Sequence, residues 1–257
     1  MFIRAASLMC VLALAAILVP AQVDAATVVR VTMIAGGSFD IELNDNTPLH
    51  RDNFLQYVNA GKYTNTIFHR SDHSINVLQG GGFTLPANPD TSFLDSVVTY
   101  APVPYEYGVV TDWSNTIGTI GAARTTDPNS ATSGWFINLA DNSSIFDDRV
   151  RPGDGYTVFG RIISGLDVAQ QLFAAKVWDW DLVVNDKAHP ESALPVSRLP
   201  LESSYDGGRW PMQDEFLAIN STLVVSTTSL AAPVPEPATI ALLALGLGGL
   251  LRRRFRK

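Results

Sequence analysis

Few side chains in this sequence could do chemistry, and their spacing removes most of the usual options. Cys10 is the only cysteine. It lies in an apolar N-terminal run, so neither a thiol nucleophile nor a Cys-ligated metal belongs to the body of the chain. The histidines are His50, His69, His73 and His189. His69 and His73 fall in a strand-and-loop stretch rather than on one helix face, and no metal is expected. Gly80-Gly81-Gly82 is not followed by Lys-Ser/Thr and lacks dinucleotide-fold spacing, so it reads as turn geometry, not a phosphate cradle. Asp127 and the pair Asp147-Asp148 read as turn and solvation residues. Asn142-Ser-Ser and Asn220-Ser-Thr match a glycosylation sequon, with no use expected. Two residues remain that need neither nucleophile nor cofactor. Arg70, taken alone, is a surface ion-pair partner; Phe136, taken alone, is core.

The two ends of the chain are addressing segments. Residues 1–25 run from Arg4 through the apolar stretch Ala5–Val19 to Val23-Asp24-Ala25. That order is a secretory signal, cut after Ala25, and its apolar run is shorter than the ~20 residues a span requires. The mature body then enters an oxidising compartment without disulfides and depends on a packed core. Ser, Thr, Ala and Pro dominate residues 220–235, which make a linker. Pro235-Glu236-Pro237 comes next, then the nearly wholly apolar Ala238–Leu251, then Arg-Arg-Arg-Phe-Arg-Lys. As a helix the apolar stretch is about 21 Å long, short of the roughly 30 Å hydrocarbon core. Residues 238–257 therefore read as a short transmembrane helix whose basic tail snorkels inside. Triplet, helix and arginine cluster together resemble the PEP-CTERM sorting signal. The resemblance implies three things: an exosortase-type membrane protease as partner, an inner-membrane anchor before processing, and later delivery to the periplasmic face, cell surface or extracellular matrix.

Charge narrows the partners further. Removing Arg4 and Asp24 at one end and Arg252, Arg253, Arg254, Arg256 and Lys257 at the other leaves 12 basic against 24 acidic residues, a body charge of −12. Such a surface repels phosphate backbones, so nucleic acid is excluded as a partner.

Residues 26–228 form the folded domain. Thr27–Ala35 is β-branched, Gly36-Gly37 follows, and Ser38–Leu43 alternates with Phe39, Ile41 and Leu43 on one face. Two half-buried strands joined by Gly-Gly make a hairpin. Thr47-Pro48 supplies an N-cap and a first-turn proline, helical spacing runs through Leu49, Phe54, Tyr57 and Val58, and Gly61 ends the helix. Short apolar runs recur at Thr66–Phe68, Val77–Gln79, Val97–Val98, Thr119–Ala122, Trp135–Leu139 and Thr157–Ile163. A second helix is expected from Gly165 to about Ala175. Many short strands with only two helices favour a closed barrel over a doubly wound sheet. The segment 176–215 is poorly patterned, with Pro190, Pro195 and Pro200, and reads as an irregular surface excursion. A last strand follows near Phe216–Val225.

Phe68-His69-Arg70 followed by Gln79-Gly80-Gly81-Gly82-Phe83 resembles the cyclophilin signature. Asn53-Phe54 upstream, and Ala123-Arg124-Thr125, Ser133, Phe136-Ile137-Asn138 and Tyr156–Gly160 downstream, match it in order over residues 27–175. The resemblance implies an eight-stranded antiparallel barrel with a helix closing each end, filled inside, with substrate held on its outer wall. It also implies a cofactor-free peptidyl-prolyl cis/trans isomerase acting on proline-containing polypeptides that are exported or at the cell surface.

The implied chemistry is rotation about an X-Pro amide over a barrier of about 18–20 kcal/mol. The two planar forms differ by only ~0.5–1 kcal/mol, so a catalyst has to bind the twisted amide better than either. An apolar pocket can grip the proline ring while a fixed cation hydrogen-bonds the pyramidal nitrogen. Carried over by position, Arg70 is that cation and Phe136 the pocket floor. Phe146 and Tyr156 stand where the family has leucine and histidine, Val77 replaces a methionine, Ala123 is a small position beside the substrate backbone, and Gln79 opens the Gln-Gly-Gly. Two positions depart from the pattern. Asn76 falls where the family has a phenylalanine, although the stretch from Arg70 to Gln79 is one residue long and a bulge would present Ile75 instead. Gly134 replaces a glutamine that holds the substrate carbonyl. These departures leave two other readings open: a weakened proline-peptide-binding module, or a surface-matrix protein that reuses the barrel.

Overall fold

Period-two patterning builds the first hairpin. The computed structural model describes residues 26–85, 94–106, 113–147, 153–178, 198–207 and 211–226; the expected signal (1–25), the linker with its Pro-Glu-Pro triplet (229–237) and the C-terminal helix (238–257) lie outside them. Residues 220–226, read as the start of the linker, belong instead to the last strand. β1 (Thr27–Met33) and β2 (Ser38–Leu43) pair antiparallel from Val28 opposite Glu42 to Thr32 opposite Ser38. Phe39, Ile41 and Leu43 are buried, as the alternation demands. Gly36 and Gly37 turn the chain at φ 101° and 82°, a region that favours residues without a Cβ.

α1 (Pro48–Asn59) starts at the proline, but Thr47 does not cap it. The Thr47 hydroxyl donates backwards to the Asn44 carbonyl at 3.2 Å. The cap comes instead from Glu106, whose Oε1 accepts the Leu49 N–H at 2.9 Å and whose Oε2 accepts the His50 N–H at 2.8 Å. Burial opposes ionisation of this carboxyl, yet its bonds to His50 and Leu49 outweigh burial and hold it below the ordinary glutamate range. A carboxylate at a helix N-terminus also satisfies two orphan donors and the helix dipole.

The remaining elements are β3 (Thr66–Asp72), β4 (Val77–Thr84), β5 (Asp95–Ser96), β6 (Thr119–Ala122), β7 (Trp135–Asn138), α2 (Ser143–Phe146), β8 (Val158–Ser164), α3 (Leu166–Phe173), β9 (Lys176–Trp178), β10 (Leu199–Leu201), a 3-10 turn (Gln213–Glu215) and β11 (Ile219–Ser226). The main sheet is ordered β11-β1-β2-β8-β6-β7-β4-β3, with β5 added on β4. The expected strand at Val97–Val98 falls two residues earlier, on Asp95–Ser96, which pairs with Phe83 and Thr84.

The sheet is curled and mainly antiparallel, but it is a nine-stranded open half-barrel, not the closed eight-stranded barrel expected. Its two end strands are already engaged. β11 is taken up along its length by β1, from Thr27 opposite Ser226 to Met33 opposite Ile219. β3 meets only the approach to β11, through an Ile67–Ala218 bridge and the bonds Asn65 N–H to Ile219 O and Phe68 N–H to Leu217 O. Side chains fill the curl: Trp135 lies edge-on to Phe54, Tyr63 and Phe68 at centroid distances of 5.5–6.4 Å. A filled interior leaves only the outer wall for a ligand.

The described parts of 176–215 are not a surface excursion. β9 and β10 pair, Leu199 opposite Trp178 and Leu201 opposite Lys176. Leu199, Leu201 and Tyr205 then join Ile67, Phe216 and Ala218 in a second buried apolar cluster. Pro200 sits between the two leucines in a two-stranded ribbon, where a missing N–H is tolerated.

His69 makes the fold acid-sensitive. It is 7 % exposed, and its Nδ1 has no hydrogen-bond partner among the described residues. Burial, assisted by the Arg70 charge and opposed by the Ile67 carbonyl, lowers its pKa to about 4. Between about pH 6.5 and 4 the unfolded chain takes up a proton that the folded one refuses, so stability is full above that window and falls through it on acidification. The loss is on the order of 3 kcal/mol. His69→Leu should flatten the unfolding midpoint across this window in denaturant titrations; an unchanged slope would contradict the assignment.

Candidate active site

Pairing of four strands sets one row of residues on the outer wall. Arg70 on β3 stands opposite Gln79 on β4, Gln79 opposite Phe136 on β7, and Phe136 opposite Gly121 on β6. Residues directly opposite share a face of the sheet. Arg70, Gln79 and Phe136 accordingly line one cleft of about 210 Å³, together with Ile75, Val77, Ala123, Arg124, Phe146 and Tyr156.

Gly121 makes the floor possible. A Cβ placed there would lie 2.7 Å from both Cε1 and Cε2 of Phe136, so the ring lies flat over bare backbone. Gly121 is absent from the residues singled out by sequence. Its signal was a glycine inside a strand, the mark of a close approach. Phe146 and Tyr156 rise beside the floor, their centroids 5.7 and 5.5 Å from Phe136 and 5.0 Å from each other. The result is a three-ring apolar corner.

A buried polar network holds that corner. The Asp147 carboxylate accepts the backbone N–H and side-chain amide of Asn115 at 2.9 and 3.0 Å, and the Ser114 hydroxyl. Asn115 also donates to the Tyr156 carbonyl at 3.1 Å, while the Tyr156 N–H donates to the Phe146 carbonyl at 2.9 Å. Asp147 is therefore the buried post of the loop that carries two of the rings, not a solvating turn residue. Asn142 is buried in the same network, donating to Asn138 Oδ1 at 2.8 Å, which removes the first sequon from modification in the folded state.

The two cations of the cleft differ. The Arg124 side chain is 5 % exposed and fully occupied. It donates to the carbonyls of Thr125, Asp154 and Gly155 and to Asp154 Oδ1, with its guanidinium carbon 4.5 Å over the Tyr156 ring. It is a buttress for the wall. Arg70 is 38 % exposed. Its Nη2 donates to Asp72 Oδ2 at 2.6 Å and its Nη1 reaches Gln79 Oε1 at 3.5 Å. These bonds use two of the five donors on a guanidinium, so the group borders the cleft with donors to spare.

The departures from the expected pattern resolve differently. Asn76 does not line the cleft. It sits in the β3–β4 turn at φ 50°, its carbonyl accepting the Leu139 N–H at 2.9 Å. Asparagine tolerates that conformation, and the extra residue in the turn puts Ile75 at the cleft in its place. Gly134 lies beside Ala123, whose N–H it accepts at 3.0 Å. A Cβ at Gly134 would stand 3.3 Å from that of Ala123. Ile75 is thus the residue that a bulge was expected to present, and Arg124, matched in the second signature without a role, is the cleft residue absent from the expected site.

Comparison with known proteins follows the same residues. The profile of the cyclophilin type peptidyl-prolyl cis-trans isomerase/CLD family matches residues 28–193, and that of the PEP-CTERM protein-sorting motif matches 233–257. A peptidyl-prolyl cis-trans isomerase of Acinetobacter baylyi is 38% identical over 161 residues, covering 62% of this chain and 79% of the relative. One from Streptomyces antibioticus is 37% identical over 174 residues, covering 66% and 93%. The crystal structure of a cyclophilin type isomerase of Cryptosporidium parvum superposes with a TM-score of 0.51 at 19% identity, over 78% of this chain and 98% of that one. That last likeness bears on the fold alone.

Proposed function

The chain belongs to the cyclophilin-type peptidyl-prolyl cis-trans isomerase family, and on that basis we propose that it speeds cis–trans rotation about X-Pro bonds in exported polypeptides. The observation that carries the mechanism is the row of Arg70, Gln79 and Phe136 on neighbouring strands of one cleft wall. The proline ring rests on Phe136, walled by Phe146, Tyr156, Val77 and Ile75. Rotation turns the residue before proline while the ring stays held. As conjugation breaks, the amide nitrogen becomes pyramidal and gains a lone pair, which an Arg70 N–H meets. Gln79 steadies the guanidinium through Oε1 and turns its amide NH₂ to the substrate backbone beside Ala123. No proton is transferred and no bond is made. Catalysis rests on contacts stronger in the twisted amide than in either planar form.

Gly134 favours a second reading, a binding module with weak turnover, because its position carries no side-chain donor for the substrate carbonyl. Exchange spectroscopy on a proline-containing peptide with catalytic amounts of the chain separates the two. Cis–trans exchange faster than in buffer is the expected result, whereas peptide shifts without faster exchange would select the module.

Address and chemistry fit together. The C-terminal sorting motif at 233–257 marks an exported protein that an exosortase handles. The apolar residues 238–251 then serve as an inner-membrane anchor until cleavage near Pro235-Glu236-Pro237, and residues 1–25 as the export signal. Among the described residues no helix is long and apolar enough to cross a membrane.

A further inference from the structure

Asp72 is paired with two arginines at once, and only one of them borders the cleft. Its side chain is buried, and each oxygen has its own cation. Oδ2 takes Arg70 at 2.6 Å; Oδ1 takes Arg198, along with the Ser74 N–H at 3.1 Å and the Ser74 hydroxyl at 2.6 Å. Arg198 comes from outside the motifs that resemble the family. It immediately precedes β10, in the segment that packs along β3. Its placement is specific: the backbone is left-handed at φ 63°, uncommon for arginine, and its carbonyl accepts the Ser71 N–H at 2.9 Å. A second contact of its guanidinium reaches the Ser74 hydroxyl at 3.4 Å.

We propose that Arg198 is a positioning residue for the isomerase reaction: by sharing the Asp72 carboxylate it keeps the charge of Arg70 available to the substrate. A buried carboxylate with Arg70 as its sole cation would form a neutral pair with it and draw its donors away from the cleft. Two cations on one anion leave the cluster with one net positive charge, and Arg70 is the member at the cleft. Asp72 itself stays ionised. Burial opposes this, but the Ser74 bonds and the Arg70 and Arg198 charges prevail and hold its pKa below the ordinary aspartate range. The segment 176–215 thereby acquires a function beyond packing, since it supplies the second cation.

The proposal rests on the isomerase reading, and its test separates the two. In the full chain, Arg198→Gln removes the charge and leaves a shorter polar side chain. It should lower kcat for a proline peptide about fivefold with KM within about twofold, the scale of coupling between residues in one ion-pair network. Arg198→Lys should recover at least half of the loss. In an Arg70→Ala background Arg198→Gln should cost nothing further. A kcat unchanged in Arg198→Gln, no recovery with lysine, or an equal loss in the Arg70→Ala background would each overturn it. If the unmodified chain shows no turnover the isomerase reading fails, and the inference is then decided by NMR. The Arg70 Nε–H resonance, identified by its loss in Arg70→Lys, must move in Arg198→Gln, and an unmoved resonance overturns the inference.

Discussion

Arg70→Ala is expected to lower kcat/KM for a proline test peptide by at least about tenfold and towards a hundredfold, nearly all of it in kcat. The direction follows from when the contact forms. A planar X-Pro nitrogen has its lone pair in conjugation and accepts no hydrogen bond, so ground-state binding hardly involves the guanidinium. The twisted amide exposes the lone pair, and the donor is already in place, held by Asp72 at 2.6 Å and flanked by Gln79. Arg70→Lys should recover only part of the loss, because an ammonium lacks the planar fork that can serve Asp72 and the substrate together. The variant should fold, since Arg70 is over a third exposed and contributes little to the core. Wild-type kcat in Arg70→Ala, measured by exchange or by a protease-coupled assay, would remove the electrostatic half of the mechanism.

The second large effect is expected at a residue with no side chain. Gly121→Ala should reduce kcat/KM by about tenfold or more and destabilise the domain by about 1–3 kcal/mol, the usual cost of overpacking. The added methyl would occupy space 2.7 Å from the Cε atoms of Phe136, so the ring has to lift into the cleft. Phe136 is pinned between that backbone and the rings of Phe146 and Tyr156, and any displacement fills the volume the proline ring needs. KM should rise here, in contrast to Arg70→Ala, because a blocked floor hinders the planar forms as well. Steady-state kinetics together with a thermal melt test this directly; unaltered KM at full stability would show that the floor lies elsewhere.

Much of the scaffold was legible in the sequence because it rests on short-range patterns. Alternation in Ser38–Leu43, the proline at position 48 and the run Thr119–Ala122 each correspond to an element within a residue or two. The order of the motifs placed Arg70, Gln79, Val77, Ala123, Phe136, Phe146 and Tyr156, and all seven line the cleft. What escaped depends on contacts between distant segments. An Asp-Asp pair looks solvated until folding brings Ser114 and Asn115 onto Asp147. Asn76 fell on a cleft position by alignment, and only the fold decides for the alternative that the longer turn left open, Ile75. Glu106, not Thr47, caps α1, and nothing local to Glu106 announces a partner more than 50 positions away. β9 and β10, three residues each and twenty apart in sequence, are too short for any periodicity to reveal, and Arg198 was hidden with them. The expected closed barrel failed for a similar reason. Strands can be counted from sequence, but whether β3 pairs with β11 along its length, as closure needs, or only touches its approach through the Ile67–Ala218 bridge is decided by register.

The most direct test of the mechanism is to locate a bound proline. In an isotope-edited NOE spectrum of the chain with a short Ala-Pro peptide, contacts from the proline ring protons to the Phe136 ring are predicted, with a shift of the Arg70 Nε–H resonance on the same titration. Proline contacts to any other face of the sheet, with both resonances unmoved, would contradict it.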